Sequence, residues 1–374
     1  MKISFNRITT SGNFIPEIDG LRFMAIFSVL CFHLIIFLTN KFPLIFNNNL
    51  YVKNIQHLFL HGHIGVPLFF VISGFILAVP FINAYLIKKN TFNIKDFYIR
   101  RLTRLEPPYI LVLTILLFFG VYNTVDMTIW DRIYSYFSSI FYFHNFIVND
   151  VPFLNGVTWS LEIEIQFYIL APLILMIFKV SSNFKRRLII VLSIIFFLLL
   201  NIFIQFKYLN LLIYLHFFLL GILLADMYYT NQIIFKKTKY DFLITILFLS
   251  LIFLYDEADW SNHLFLYNLC SLCIIFLFYY YVLIHRSMNF FSNKIITNIG
   301  GMCYSIYLLH YPVINFFGSQ FIKHNIFNNI IILSLSLITL VLLISSIFFI
   351  LIERPCMNKN WIKDLKLYLQ SRSN

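Results

Sequence analysis

Charge is the scarcest commodity in this 374-residue chain: Asp, Glu, Lys and Arg make up 12% of it, against roughly 25% in soluble domains. That excludes an ordinary water-soluble domain. Polar low-complexity linkers are absent, no internal repeat is visible, and no apolar run is followed by a soluble domain. Cysteine is sparse too. Of the five, Cys31, Cys270, Cys273 and Cys303 lie within apolar runs and only Cys356 does not, so no disulfide framework is indicated. Cys270 and Cys273 have CxxC spacing in the middle of an apolar helix, where packing is favoured over redox or metal roles. A cleavable signal peptide is also missing. The first apolar run is too long for one, contains His33, and is followed by no small-residue cleavage site. The net charge of +12 does not indicate nucleic acid, because the basic residues fall in short loops between apolar runs.

What is present is apolar and aromatic: 60% hydrophobic residues, 46 Phe and 23 Tyr, with a mean hydropathy of +0.82. Runs near 21–39, 64–84, 108–123, 159–178, 188–205, 209–228, 241–255, 264–284, 298–320 and 327–352 each approach the ~20 residues that cross a bilayer. The stretch 130–148 is aromatic-rich but polar. With the N-terminus in the cytoplasm and ten crossings, 22 of the 28 Lys and Arg residues fall on the cytoplasmic side, as the positive-inside rule requires. An eleventh crossing at 130–148 would invert everything after it. The expected fold is therefore all-α: a polytopic membrane protein of about ten transmembrane helices plus one re-entrant or interfacial helix. Both termini are cytoplasmic in this reading. An N-terminal segment (1–16) and a basic tail (356–374) flank a membrane domain (17–355).

The chain is organised around EIDGLRFMAIFSVLCFH, residues 17–33. Asp19, Arg22, Ile26, Val29 and His33 share one helical face by spacing. Ionisable side chains inside a bilayer are costly and belong against a packed bundle or a wet cavity. A second stretch, DFYIRRLTRLEPPY (96–109), gathers Arg100, Arg101 and Arg104 within one turn, and Pro107 and Pro108 reset the backbone as the next span begins. Guanidinium groups at a cytoplasmic mouth suit a phosphorylated donor. A third, TWSLEIEIQFYILAP (158–172), puts Ser160, Glu164 and Tyr168 on one face, with Trp159 at the interface and Glu162 pointing elsewhere. Counted from the outer span ends, His33, Glu164 and His216 reach similar depths of about 9, 7 and 10 Å. Arg22 lies about 16 Å nearer the cytoplasm than His33. This describes a cavity with a basic cytoplasmic mouth and an acid/base site nearer the outer face. Asp19 is expected to pair with Arg22. Tyr304, Tyr307 and Tyr311 form a stripe that packs or lines the cavity, and Pro312 frees a carbonyl near His310. His57, His61 and His63 lack a carboxylate or cysteine neighbour and read as a solvated loop rather than a zinc site.

In order along the chain, EIDGLRFMAIFSVLCFH, FFVISGFIL (69–77), FYIRRLTRLEPPY (97–109), WSLEIEIQFYILAPL (159–173), HFFLLGILLA (216–225), YSIYLLHYPV (304–313) and ERP (353–355) resemble the acyltransferase 3 family of polytopic membrane O-acyltransferases. The resemblance implies transfer of an acyl group, usually acetyl, from cytoplasmic acyl-coenzyme A to a hydroxyl of an envelope polysaccharide, a lipid-linked precursor such as that of lipopolysaccharide, or a glycolipid. The setting it implies is a bacterial cytoplasmic membrane. The family's first-span histidine maps onto His33, and its RxxR pair onto Arg101 and Arg104. On this reading His33 is the general base and Glu164 orients its ring. Arg22, Arg100, Arg101 and Arg104 hold the donor. Asp19, Trp159, Ser160, Tyr168, His216, Tyr304 and His310 line the cavity. A covalent acyl relay through Ser160 or a tyrosine is a minor variant. No metal is needed. Some relatives carry a fused secreted transferase domain, so a separate extracytoplasmic transferase is a candidate partner here. The alternative function is a transporter exporting a glycan or small metabolite.

Overall fold

The computed structural model describes residues 14–48, 50–87, 92–119, 128–147, 151–204, 206–254, 265–327, 329–358 and 361. Most of the N-terminal segment 1–16 and of the basic tail 356–374 lies outside them. Every regular element among the described residues is helical: α1 (Pro16–Lys41), α2 (Pro43–Asn48), α3 (Leu50–Leu60), α4 (Gly65–Ile82), α5 (Ile94–Phe119), α6 (Ile129–Ile140), α7 (His144–Ile147), α8 (Trp159–Ile174), α9 (Asn183–Phe203), α10 (Leu211–Tyr229), α11 (Asp241–Ile252), α12 (Phe265–Tyr280), α13 (Lys294–Gly301), α14 (Cys303–Lys323) and α15 (Ile330–Phe348). Eight helical stretches are long and apolar enough to cross a membrane. The two further spans expected from sequence correspond to α14, which has 21 residues but carries Tyr, His, Asn and Gln along its length, and α11, which has 12 and so rises only about 18 Å. The 130–148 stretch forms α6 and α7, both too short to span ~30 Å.

Two sequence expectations need correction. Pro107 and Pro108 do not begin a new element. They lie inside α5, which runs unbroken from the arginine cluster into the apolar run. The two prolines remove two donors and crowd the carbonyls one turn back, yet the helix continues through them. The stretch bearing His57, His61 and His63 is helical rather than a loop, formed by α3 and a short 3-10 turn, and His61 is buried.

A close seam joins α4 to α10. A Cβ on Gly74 would stand 2.0 Å from the Phe218 carbonyl, and one on Gly221 would stand 2.0 Å from the Val71 carbonyl. The reciprocal glycines let the two backbones touch, as small residues do between membrane helices. On the neighbouring helix, Arg186 is fully buried. Its Nε donates to Asp226 at 2.6 Å and its Nη1 to the Val180 carbonyl at 2.7 Å, while Arg187 Nε donates to Asp226 at 2.5 Å. Two arginines near the start of α9 thus clamp it to α10. Helix α1 separates two apolar clusters. Its first half (Ile18, Leu21, Met24, Ala25) joins the α4–α10 core, and its second half (Ile26, Leu30, Leu34, Leu38) joins α14 and α15.

Pro312 interrupts α14 and leaves the Leu308 carbonyl without its usual i+4 donor. Asn155, fully buried before α8, fills the gap: its Nδ2 donates to the Leu308 oxygen at 3.0 Å. Asn155→Ala should lower thermal stability in detergent by about 1–3 kcal/mol, the cost of a stranded buried carbonyl. In a Pro312→Ala background the restored amide satisfies that carbonyl, so the Asn155→Ala penalty should shrink. An equal penalty in both backgrounds would disprove the pairing.

Candidate active site

Five helices, α1, α4, α5, α8 and α14, enclose a cavity of about 470 Å³. Its polarity is ordered by how the helices run. Helix α4 passes back alongside α1, with Gly62 and Gly65 abutting the Ser28 and Ala25 carbonyls. One end of the cavity therefore holds Arg22 of α1, Asn83 beyond α4, and Arg100, Arg101 and Arg104 of α5. The other holds Val29, Val66, Phe69, Ser160 and Tyr307. Ser73, Ile72 and Ile76 make the middle.

At the basic end Arg100 and Arg101 are each anchored through one guanidinium nitrogen. Arg100 Nε donates to the Asp96 carbonyl and Arg101 Nη1 to the Phe97 carbonyl, both at 2.9 Å. The Arg101 guanidinium lies 3.7 Å above the Phe97 ring and 5.8 Å from the Tyr168 ring. A guanidinium carries five N–H donors, so most of each fork is left without a protein partner among the described residues. Arg22 pairs with Asp19 at 2.9 Å, as the sequence spacing suggests. Arg104 faces Glu353 at 3.8 Å. A phosphorylated ligand fits this end, because unpartnered guanidinium donors match phosphate oxygens.

Ser160, Glu164 and Tyr168 all line the cavity, as their shared face implies, while Glu162 turns away and accepts from the Asn145 amide at 2.8 Å. Glu164 accepts from Ser73 Oγ at 2.6 Å and, at short range, from the Tyr168 hydroxyl. It does not meet His33, so the expected His33–Glu164 pair is not formed. Glu164 lies one turn from Ser160 on α8 and is drawn to α4 and toward the Arg101 side.

The partner of His33 is His310. Their rings lie 5.0 Å apart, and His310 Nε2 is 3.2 Å from His33 Nδ1. Each Nδ1 also faces a backbone carbonyl at 2.9 Å, Val29 for His33 and Ile306 for His310. Carbonyls only accept, so both Nδ1 atoms carry hydrogen in the neutral rings. His33 Nδ1–H is then shared between Val29 and the His310 Nε2 lone pair, and His33 Nε2 is left as an open base with no hydrogen-bond partner among the described residues. The pair adjoins the inner end of the cavity: Val29 is in the wall one turn below His33, and Tyr307 is 6.5 Å from the His310 ring. Tyr307 donates to the Val157 carbonyl at 2.6 Å and meets Ser160 Oγ at 3.0 Å. Tyr304 lines the wall and donates to the Leu105 carbonyl at 2.9 Å. Tyr311, third in the stripe, instead stands nearly perpendicular to the His33 ring, centroids 5.4 Å apart.

Five other expectations fail. Neither Asp19 nor His33 is among the cavity residues; their helix contributes Ile18, Arg22 and Val29 instead. His216 is fully buried but is not among the cavity residues. Its azimuth is wrong. Gly221 turns toward α4, and five residues earlier is about 140° around the helix, so His216 packs beside Phe217 instead. Trp159 packs its ring tilted against Tyr214, centroids 5.8 Å apart, rather than lining the cavity. His310 lies behind the wall, against His33, rather than in it. Ser73 and Glu353 enter the site without having been singled out individually. Both sit in stretches that carry the family resemblance, FFVISGFIL and ERP, but a lone Ser or terminal Glu has no partner in sequence.

The acyltransferase domain profile of the acyltransferase 3 family matches residues 15–352. The chain belongs to the acyltransferase 3 family. It is 28% identical over 387 aligned positions to O-acetyltransferase OatA of Staphylococcus aureus strain NCTC 8325, covering 94% of this chain and 58% of that protein. A putative O-acetyltransferase of Staphylococcus aureus strain COL is 29% identical over 345 positions, covering 84% of this chain and 53% of that one. The chain thus spans a little over half the length of these curated relatives. No solved structure matches. The family match covers all the cavity residues but Met357, so the whole arginine-to-histidine arrangement lies inside the acyltransferase domain of this membrane chain.

The ring geometry has a direct chemical consequence. His310 and His216 are fully buried, whereas His33 is half-buried with Nε2 open. Diethyl pyrocarbonate should carbethoxylate His33 well before His216 or His310, read by peptide mass spectrometry. Equal labelling of His33 and His216 would refute the tautomer and accessibility assigned here.

Proposed function

We propose that the chain is a bacterial inner-membrane O-acyltransferase that moves an acyl group, acetyl above all, from acyl-coenzyme A to a hydroxyl of an envelope polysaccharide, its lipid-linked precursor or a glycolipid. One observation carries this reading. The cavity that holds an arginine cluster suited to donor phosphates reaches Val29 and Tyr307 at its other end, and a histidine pair suited to base catalysis packs beside those two residues. The O-acetyltransferase relatives support the reaction class. The basic mouth faces the cytoplasm in this reading, with both termini on the same side, as the loop charges favour.

The donor is a substrate whose thioester supplies the activated acyl carbon. Arg100, Arg101, Arg104 and Arg22 bind its phosphates, and the apolar middle of the cavity takes its arm. His33 Nε2 removes the acceptor hydroxyl's proton as the oxygen attacks the thioester carbonyl. The C–S bond breaks, the ester forms, and the proton leaves with the coenzyme A thiolate. While His33 is protonated, its Nδ1–H points at the His310 lone pair. His310 thereby does for this imidazolium what a carboxylate does in a serine-hydrolase triad. Glu164, bound by Ser73 and Tyr168, tethers α8 to α4 beside Arg101 and is better suited to shaping the donor channel than to touching His33.

Three measurements test this. Mass spectrometry of envelope glycans and glycolipids from a deletion strain should show a species gaining roughly 42 Da, the mass of an acetyl group, only when wild type is restored. His33→Ala, at equal membrane abundance, should lower that product roughly 10²–10⁴-fold. His310→Ala should fall similarly, with no further loss in the double variant. Full restoration by His33→Ala would sink the base assignment. Coenzyme A should bind saturably, and Arg101→Ala with Arg104→Ala should weaken it by roughly a hundredfold. Absence of both binding and product in every strain would favour the transporter.

A further inference from the structure

The ERP stretch just beyond α15, one of those that carry the family resemblance, has no task in the scheme above. Glu353 is fully buried. It caps a π-helical turn (Phe349–Glu353) that ends the helix. One carboxylate oxygen, Oε2, accepts from the Ser305 amide at 3.0 Å and the Ser305 hydroxyl at 2.5 Å. Ser305 is in the first turn of α14, whose free amides and positive dipole end favour an anion. The other oxygen, Oε1, faces Arg104 at 3.8 Å and has no hydrogen-bond partner among the described residues, nor has Arg104 Nε. Cys303, in the same turn of α14, lines the cavity.

The two things Glu353 touches belong to opposite ends of the proposed chemistry. Arg104 is in the donor mouth. The first turn of α14 sets the axial position of a helix that carries Tyr304, Tyr307 and His310. Five residues, about 7.5 Å of rise, separate Ser305 from His310. Arg104 also needs restraint, because Arg100, Arg101 and Arg22 crowd the same end of the cavity and like charges repel.

We propose that Glu353 is a positioning residue that aims Arg104 at the donor phosphates through one oxygen and seats the His310-bearing helix through the other. The inference rests on the acyl-coenzyme A reading. Its two arms separate experimentally. Glu353→Gln retains an oxygen for Ser305 but removes the charge that holds Arg104, and should weaken coenzyme A binding by roughly tenfold. In an Arg104→Ala background the same change should have little further effect. Ser305→Ala removes the hydroxyl arm and should lower turnover while coenzyme A binding stays within about twofold, a split that general destabilisation would not produce. Binding is read on purified protein in detergent by calorimetry with coenzyme A, with thermal unfolding of each variant alongside. If Glu353→Gln tightened binding, the carboxylate would be only a counter-charge competing with phosphate, and the proposal would be wrong. It would be equally wrong if the Glu353 and Arg104 effects simply added. Wild type that binds no coenzyme A would overturn the donor reading itself, and this inference with it.

Discussion

A polar group carried into an apolar bundle has to find its partner there, because no water is available to take its place. That requirement accounts for most of the interior of this protein. Arg22 is matched by Asp19, Asp226 by Arg186 and Arg187, Glu162 by the Asn145 amide, and the carbonyl freed by Pro312 by Asn155. Among the groups left incompletely matched, the guanidinium forks of Arg100 and Arg101 line one cavity and Nε2 of His33 lies beside it, which marks a place where a ligand would complete the set.

The cavity's order follows from packing rather than from any one residue. The α4–α10 seam is held at backbone contact by Gly74 and Gly221, which fixes where α4 presents Ser73 and Phe69. Helix α8 then lies with Ser160 toward the histidines and Tyr168 toward the arginines. A donor entering at the basic end would put its reactive group toward the opposite end without any rearrangement of the bundle. Such preorganisation is what lets a modest base act on a poor nucleophile. The histidine pair fits the same economy. A neutral second imidazole steadies the first without adding a permanent charge to an apolar surrounding, which a carboxylate would do.

Spacing along single helices was a good guide to which side chains share a face. Asp19 with Arg22, and Ser160 with Glu164 and Tyr168, are where periodicity puts them. Matching depth between helices was a poor guide. His33, Glu164 and His216 count to a similar level, yet Glu164 turns to Ser73 and His216 turns away from the cavity. Depth is one coordinate of a helix in a membrane. Its rotation about its own axis is set by neighbours, and rotation decides what a side chain meets. The prolines teach a related point. Pro312 matters because Asn155, 157 positions earlier, answers the carbonyl it frees, and no local rule names that partner.

By itself the sequence determined what depends on composition and local periodicity. Scarce charge and long apolar runs dictated an all-helical membrane chain. The motif series pointed to the acyltransferase 3 family, and RRLTR announced a basic mouth. What only the tertiary structure decided was which residues from distant segments meet: His33 with His310, Glu164 with Ser73, Arg104 with Glu353. The reason is physical. Hydrophobicity and helical period are properties of a segment and can be read along it, whereas a hydrogen bond between helices depends on the azimuth and tilt of both, which are settled jointly by how the whole bundle packs.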